Sequence, residues 1–565
     1  TGESLADLIY PLLEQAIRQR PVPRPMRWAD NTFSFVRPVH WLIVMHGENV
    51  IDGTLLGQKA GNSTRGHRIH SPGPHTIGTG SEYLAVLERA HVVADQDERR
   101  SRIHDMLVQA DADVLIDPGL LDEVTNLVEW PVAVCCSFEE VFLEVPHAAL
   151  IASMQDHQKF FPVREEAGSE NICNRFVAIS NVDSLDFEAV RQGYERVIRP
   201  RLADARFFLE QDLKTPLEDC LPGLDRVVFQ QKLGSVGDKS RRIASISGIL
   251  ADKLSLNRAT VERAALLAKS DLLTQMVGEF PELQGLMGKH YALASGETPE
   301  VAEAIGEHYL PRFAGDRIPA SDAGRLVSLA DRLDTLAGIF AAGLKPTGNK
   351  DPFALRRAAL GLVRILLEAG YELSLAELLS VTGAQLKGQI EADDATQRQV
   401  HDFIVERLRH FFTEKGYSTE LVNAALGSSW ASLPDLSRRL SAIDQFMGQP
   451  SAQSLAAANK RIGNILRKSN GGGSGQIEEN ALIIDEEKHL FDEVIRLEGL
   501  LIPMLESGDY EHSLQQLAQL QAPVDAFFDE VMVMDENPVF RENRLSLLAR
   551  LKALFDRIAD LSVLG

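Results

Sequence analysis

A change in the spacing of apolar residues near residue 200 constrains this chain more than any other feature. Before it, apolar residues gather in short runs rich in β-branched and aromatic side chains, such as Phe35 to Met45, Val132 to Cys136 and Phe176 to Ile179. These read as strands of a packed sheet. A helix-like opening leads into Pro21-Val22-Pro23-Arg24-Pro25, which cannot continue it, because proline lacks the N–H and restricts the residue before it. From about Leu202 to Met447 apolar residues recur at three- and four-residue spacing, as in Val261 to Leu273 and Phe353 to Leu367. That is the period of amphipathic helices. Glu486 to Leu505, His512 to Leu520, Val524 to Val531 and Glu542 to Leu561 repeat it and predict a small bundle. The expected class is therefore α+β, predominantly helical and multidomain, since 565 residues exceed what one core sustains. Between the helical stretches, residues 470–475 (Asn-Gly-Gly-Gly-Ser-Gly) read as a flexible joint, a composition shared by natural linkers and laboratory ones.

Charge narrows the function classes. Lys and Arg number 58 against 81 Asp and Glu, a formal net charge of −23, so a generic nucleic-acid binder with an overall basic surface is excluded. Any RNA binding must rest on local basic patches. No stretch approaches the ~20 apolar residues of a membrane span, so no membrane association is expected. Cys135, Cys136, Cys173 and Cys220 show neither zinc-site pairing nor disulfide density, which fits a reducing cytoplasm. The chain opens on Thr1-Gly2-Glu3-Ser4 without a methionine or a basic leader, so further residues upstream are expected.

Two basic clusters stand out. In Ala458 to Lys468, the residues Lys460, Arg461, Asn464, Arg467 and Lys468 share one helical face, with Ile462, Ile465 and Leu466 left for the core. Such a face suits a phosphate backbone, although the same spacing also describes an ordinary solvated helix. In Gly348 to Ala359, Asp351 is placed to cap a helix, Pro352 to occupy its first position, and Arg356 and Arg357 to project from its first turns beside Lys350.

With Val524-Asp525-Ala526-Phe527-Phe528-Asp529 and Asn543-Arg544-Leu545, the first cluster resembles the DALR-type anticodon-binding bundle of arginyl-tRNA synthetases, over roughly residues 450 to 565. The second cluster, together with Ala330 to Ala337, Arg199 to Ala205, Met154 to Val163 and Phe35 to His40, resembles the β subunit of bacterial glycyl-tRNA synthetase over about residues 24 to 550. That resemblance implies a B3/B4-like sheet domain over 1–200, an HD-like helical domain over 201–345, a helical linker over 346–449 and the anticodon-binding bundle over 450–565. It implies a partner α subunit in an α2β2 assembly, and tRNA(Gly) as ligand. ATP and Mg2+ would serve the α subunit, with no cofactor, metal or catalytic residue on this chain. Arg461, Arg467, Lys468 and Arg544, with Lys460 and Asn464, would meet the anticodon arm. Lys159, Arg199, Arg201, Lys350, Arg356 and Arg357 would meet the acceptor or body.

Two rivals remain in view. An HD phosphohydrolase needs His, a His-Asp pair and a distal Asp on divalent metals. Here the pair position reads Ser270-Asp271, Asp331 can stand for the distal residue, and the helix around Asp238 to Ile249 offers no histidine, so the site is expected to be degenerate. His401-Asp402 reads as a helix-surface dipeptide, and Asp156-His157 as neighbours in an extended segment that point apart. No editing site is expected, because no nucleophile or metal set is visible and glycine has no smaller competitor. The second rival is a scaffold that binds only the α subunit.

Overall fold

The computed structural model describes residues 2, 4–22, 24–348, 350–469 and 476–564, so the expected joint at 470–475 lies outside the described residues. The chain divides into two compact units, residues 1–212 with 279–283, and residues 213–278 with 284–565. Helix dominates both.

In the first unit, Ser4 caps helix α1 (Leu5–Gln19) by accepting from the Asp7 N–H, and the helix stops before Pro21. Helices α2 (Gln96–Ala110) and α3 (Pro118–Leu127) are each opened by an aspartate cap, Asp95 and Asp117. They lie on an antiparallel sheet of β1 (Val132–Ser137), β2 (Phe161–Arg164) and β3 (Ile172–Ser180), ordered β1-β3-β2. The register pairs Ser180 with Val132 and Phe176 with Pro162. Proline is tolerated there because β2 is an edge strand. Ile103, Leu107, Leu121, Val124, Phe161 and Val177 form the core between helices and sheet. Two of the expected strands are therefore present. Phe35 to Met45 is not continuous: Phe35 makes an isolated bridge to Met26, and only Leu42–Ile43 and Met45–His46 are extended ladder segments. Pro38 has no donor to give a ladder, and Val36 and Trp41 are exposed, so no core presses this run flat.

Helix α4 (Phe187–Asp212) runs straight through the expected boundary at residue 200, with Pro200 inside it. Ile198, Leu202, Ala205 and Leu209 make its buried stripe, a period that carries the helix past the proline.

In the second unit, Ser235 and Asp238 form a reciprocal capping box for α5 (Val236–Lys253). Next come α6 (Arg258–Leu267), the deeply buried α7 (Asp322–Ala341) and α8 (Leu355–Glu368). Asp351 does cap α8, its carboxylate accepting from the Leu355 and Arg356 N–H groups at 2.9 Å each. The helix nevertheless begins at Leu355, after Ala354 in a left-handed conformation, so Pro352 precedes it instead of opening it.

The C-terminal part contains α9 (Leu433–Met447), α10 (Pro450–Lys468), α11 (Asp485–Glu506), α12 (Gln521–Glu530) and α13 (Pro538–Asp556). Leu490, Val494, Leu497 and Leu501 of α11 and Leu547, Leu551 and Phe555 of α13 are buried, and the two helices pack against each other. The expected break at residue 450 is not a packing break: Tyr510 donates to Asp435 of α9, and Arg439 of α9 donates to the Ile558 carbonyl at 3.3 Å. The four cysteines are free. No helix among the described residues is long and apolar enough to cross a membrane.

Candidate nucleic-acid interface

Helix α10 starts at Pro450, whose fixed φ suits a first helical position. Ala452, Leu455, Ala456 and Ile462 turn inward, with Ile465 and Leu466 half-buried beside them. Lys460, Arg461, Asn464, Arg467 and Lys468 all face solvent. Arg467 and Lys468 occupy the last turn, where positive charge complements the helix dipole. Arg467 donates to Asn464 Oδ1 at 2.6 Å, and the Arg461 guanidinium carbon lies 4.1 Å from the centroid of the Phe528 ring on α12. The arrangement offers exposed cations on a rigid helix, one of them stacked on an aromatic side chain.

Arg544 is a correction to the sequence-based set. It is 3% exposed, because α13 is buried around most of its circumference at Asn543 to Leu548. Its guanidinium pairs with the wholly buried Glu487, with Asp535 Oδ2 at 2.7 Å and with the Met532 carbonyl at 2.8 Å. No face is left for a phosphate. The side chain ties α11 and the 531–537 turn to α13, and beside it Asn543 clamps the Glu478 backbone in both directions, at 2.8 and 3.1 Å.

The weaker set is dispersed. Lys159 pairs with Glu123 at 2.9 Å, Arg199 with Glu139 at 2.6 Å and Arg201 with Glu279 at 3.5 Å, all in the first unit. In the second unit Lys350 and Arg357 are exposed, and Arg356 donates to the Gly348 carbonyl at 2.6 Å. Asp156 and His157 lie in a π-helical turn, Ser153–His157, and not in an extended segment. The His157 ring stacks on Phe280, with centroids 5.2 Å apart. His401 and Asp402 sit on the surface of the helix Asp394–Glu414.

The Ser270, Asp271 and Asp331 positions belong to a buried cluster that charge has closed. Asp331 receives the ammoniums of Lys239 at 2.8 Å and Lys269 at 2.7 Å. Burial works against its charge, yet the two ammoniums hold its carboxyl well below the usual range. Lys239 also reaches Asp334 at 3.1 Å, and Asp334 is clasped by Arg242. Lys269 donates to His308 Nε2 at 2.9 Å, while His308 Nδ1 donates to the Ile305 carbonyl at 2.6 Å. Burial, then Lys269, pushes that imidazole well below its ordinary pKa, so it is neutral. Two cations already occupy the carboxylate a divalent metal would use. Among the described residues no three His, Cys, Asp or Glu side chains group as metal ligands. Lys239 on α5 and Arg242 were missed as members of this cluster, although the lack of a histidine on that helix was the signal that something else filled the space.

Asp271 sits apart from the lysines' grip. Its Oδ2 accepts from the Gly285 and Gly288 N–H groups at 2.5 and 3.0 Å, and Oδ1 has no partner. Burial pushes its carboxyl up to about 6, against those donors and Lys269. With the folded value above the unfolded one, its stabilising contribution is present below about pH 4 and is lost as pH rises through about 6. Asp271→Asn is thus expected to raise the thermal midpoint at pH 8, by on the order of 2 kcal/mol in stability, and to lose that advantage at pH 4. Equal destabilisation at both pH values in a melting experiment would refute the assignment.

A family model described as the glycyl-tRNA synthetase beta subunit matches residues 1–427, and one described as a DALR anticodon binding domain matches residues 455–564. The glycine–tRNA ligase beta subunit of Chromohalobacter salexigens is 44% identical over 569 aligned residues, covering 100% of this chain and 82% of that protein. Its counterpart in Xanthomonas campestris is 45% identical, covering 100% and 81%, and that of Stutzerimonas stutzeri 43%, covering 100% and 83%.

Proposed function

Because the chain belongs to the glycyl-tRNA synthetase β-subunit family, we propose that it grips tRNA(Gly) and holds it in place while an α subunit activates glycine. The observation that carries the reading is the exposed basic face of α10, which lies within the DALR-matched region. In an acidic chain such a local concentration of cations attracts a polyanion where the overall field would repel it. ATP and Mg2+ belong to the α subunit in this reading, the assembly is α2β2 in the cytoplasm, and the gain in charging is one of orientation: the acceptor end is kept within reach of the adenylate.

The remaining layout is proposed with it. The sheet unit would be B3/B4-like, and residues 201–345 a degenerate HD-like domain whose chemistry is replaced by the lysine-filled cluster around Asp331. Residues 346–449 would be a linker and 450–565 the anticodon-binding bundle. The phosphohydrolase reading loses its support to that cluster. The scaffold reading leaves the α10 face without a purpose.

The double variant Arg461→Ala/Arg467→Ala tests the proposal. In tRNA(Gly) binding measured across salt concentrations, the slope of log affinity against log salt is expected to flatten by about 1.4 to 1.8, as two phosphate contacts release their counterions no longer. An unchanged slope would exclude this face.

A further inference from the structure

Two turns of the second unit meet on a surface that no carboxylate neutralises. The hairpin of strands Val228–Gln230 and Gly234–Ser235 carries Lys232 at its tip, and the Lys232 ammonium donates to the Ala342 carbonyl at 3.2 Å. Ala342 closes α7. The chain then turns at Gly343 and Gly348, whose φ values of +80° and +51° favour glycine. Between Thr347 and Lys350 the backbones bond to each other in both directions, at 3.0 and 2.9 Å. Arg356 of α8 ties this loop down by donating to the Gly348 carbonyl. Lys232, Lys345, Lys350 and Arg357 are exposed and Arg356 is half-buried. None of them has an ion-pair partner among the described residues. The acids nearby are already engaged: Asp225 and Asp238 both hold Arg241, at 2.9 and 2.6 Å, and Asp351 holds the first N–H groups of α8. Elsewhere in the unit arginines are matched, Arg258 by Asp252 and Glu262, and Arg263 by Glu218 and Glu297. Unmatched cations gathered on two linked turns repel one another until an anion joins them.

We propose that Lys232, Lys345, Lys350, Arg356 and Arg357 track the phosphate backbone of the acceptor arm of tRNA(Gly), an inference that rests on the tRNA-gripping role proposed above. The contact is separate from the α10 face, since these residues lie outside the stretch 455–564 that matches the anticodon-binding model. Its chemistry selects a duplex. Single-stranded RNA is held by bases stacked on exposed aromatic rings. Here Phe229 and Phe353 are half-buried, and the Lys239 ammonium covers the first of them, 4.6 Å from its centroid. Cations without such a platform attract the sugar-phosphate backbone and leave the bases unread. A protein partner is the poorer match, because lysine is depleted from protein interfaces.

The test uses the full chain with its α subunit and two RNAs: the tRNA(Gly) transcript, and a minihelix of its acceptor and T arms that has no anticodon. Lys345→Gln/Lys350→Gln removes two exposed charges that pair with no acid among the described residues. The variant is expected to bind the minihelix about tenfold more weakly, with the slope of log affinity against log salt flattened by about 1.8. Its association with the α subunit, followed by sedimentation, is expected to be unchanged. Equal minihelix affinity and equal slope for parent and variant would overturn the acceptor contact. So would a parent that binds the full tRNA but not the minihelix, and in both cases the α10 reading stands. A variant that separates from the α subunit would make this surface a protein contact and overturn the inference as well. A parent that binds neither RNA removes the tRNA-gripping role itself.

Discussion

Arg544→Ala is expected to destabilise the C-terminal bundle by about 3–5 kcal/mol, even though it removes only a single basic residue from a region rich in them. The effect follows from burial. Glu487 is wholly buried and Arg544 is its counter-charge, so truncation leaves a carboxylate in a low-dielectric core with only the Ile483 and Ile484 N–H groups, at 2.9 and 3.2 Å, to hold it. The same change frees the Met532 carbonyl and Asp535. Hydrogen exchange over residues 531–537 should therefore accelerate together with the loss of thermal stability. Replacing both partners, Glu487→Met with Arg544→Met, is expected to recover much of the loss, because the desolvation cost disappears with the charges. A single variant that melts with the parent would mean that Arg544 is not buried as described and is free to meet RNA after all.

This contrast separates two kinds of arginine that a sequence cannot tell apart. The exposed residues of α10 were legible because helical spacing alone puts Lys460, Arg461, Asn464, Arg467 and Lys468 on one face. Arg544 was not legible, because its fate is decided by Glu487 and Asp535, one of them 57 residues away, and no local period encodes such a partner. The same holds for Lys239 and Lys269, which meet Asp331 across 92 and 62 residues. Their spacing shows only that metal ligands are missing, not that ammoniums stand in the gap.

Elements followed the same logic. Long periodic runs such as α8 and α11 were found within a residue or two of their ends, since burial of one stripe both creates the period and stabilises the helix. Phe35 to Met45 had strand composition but no core to lie against, and α4 ran past Pro200 because its buried stripe continued. Packing crosses residue 450 for a related reason: Asp435 and Arg439 of α9 bond to Tyr510 and to the Ile558 carbonyl. Truncation at residue 450 would thus strip a packed face, and charge substitutions on α10 are the cleaner probe.

In the proposed division of labour, one chain binds the RNA and another performs the chemistry. Its consequence is large. Losing the orientation of a bound acceptor is expected to slow transfer by a factor of 100 or more, on the order of 3 kcal/mol, while adenylate formation is untouched. The direct measurement compares glycine-dependent ATP–pyrophosphate exchange with tRNA(Gly) charging for the α subunit alone, with this chain, and with its Arg461→Ala/Arg467→Ala variant. Similar exchange is expected in all three, with charging that depends on this chain and an intermediate value for the variant. Full charging by the α subunit alone, or glycyl adenylate made by this chain unaided, would contradict it.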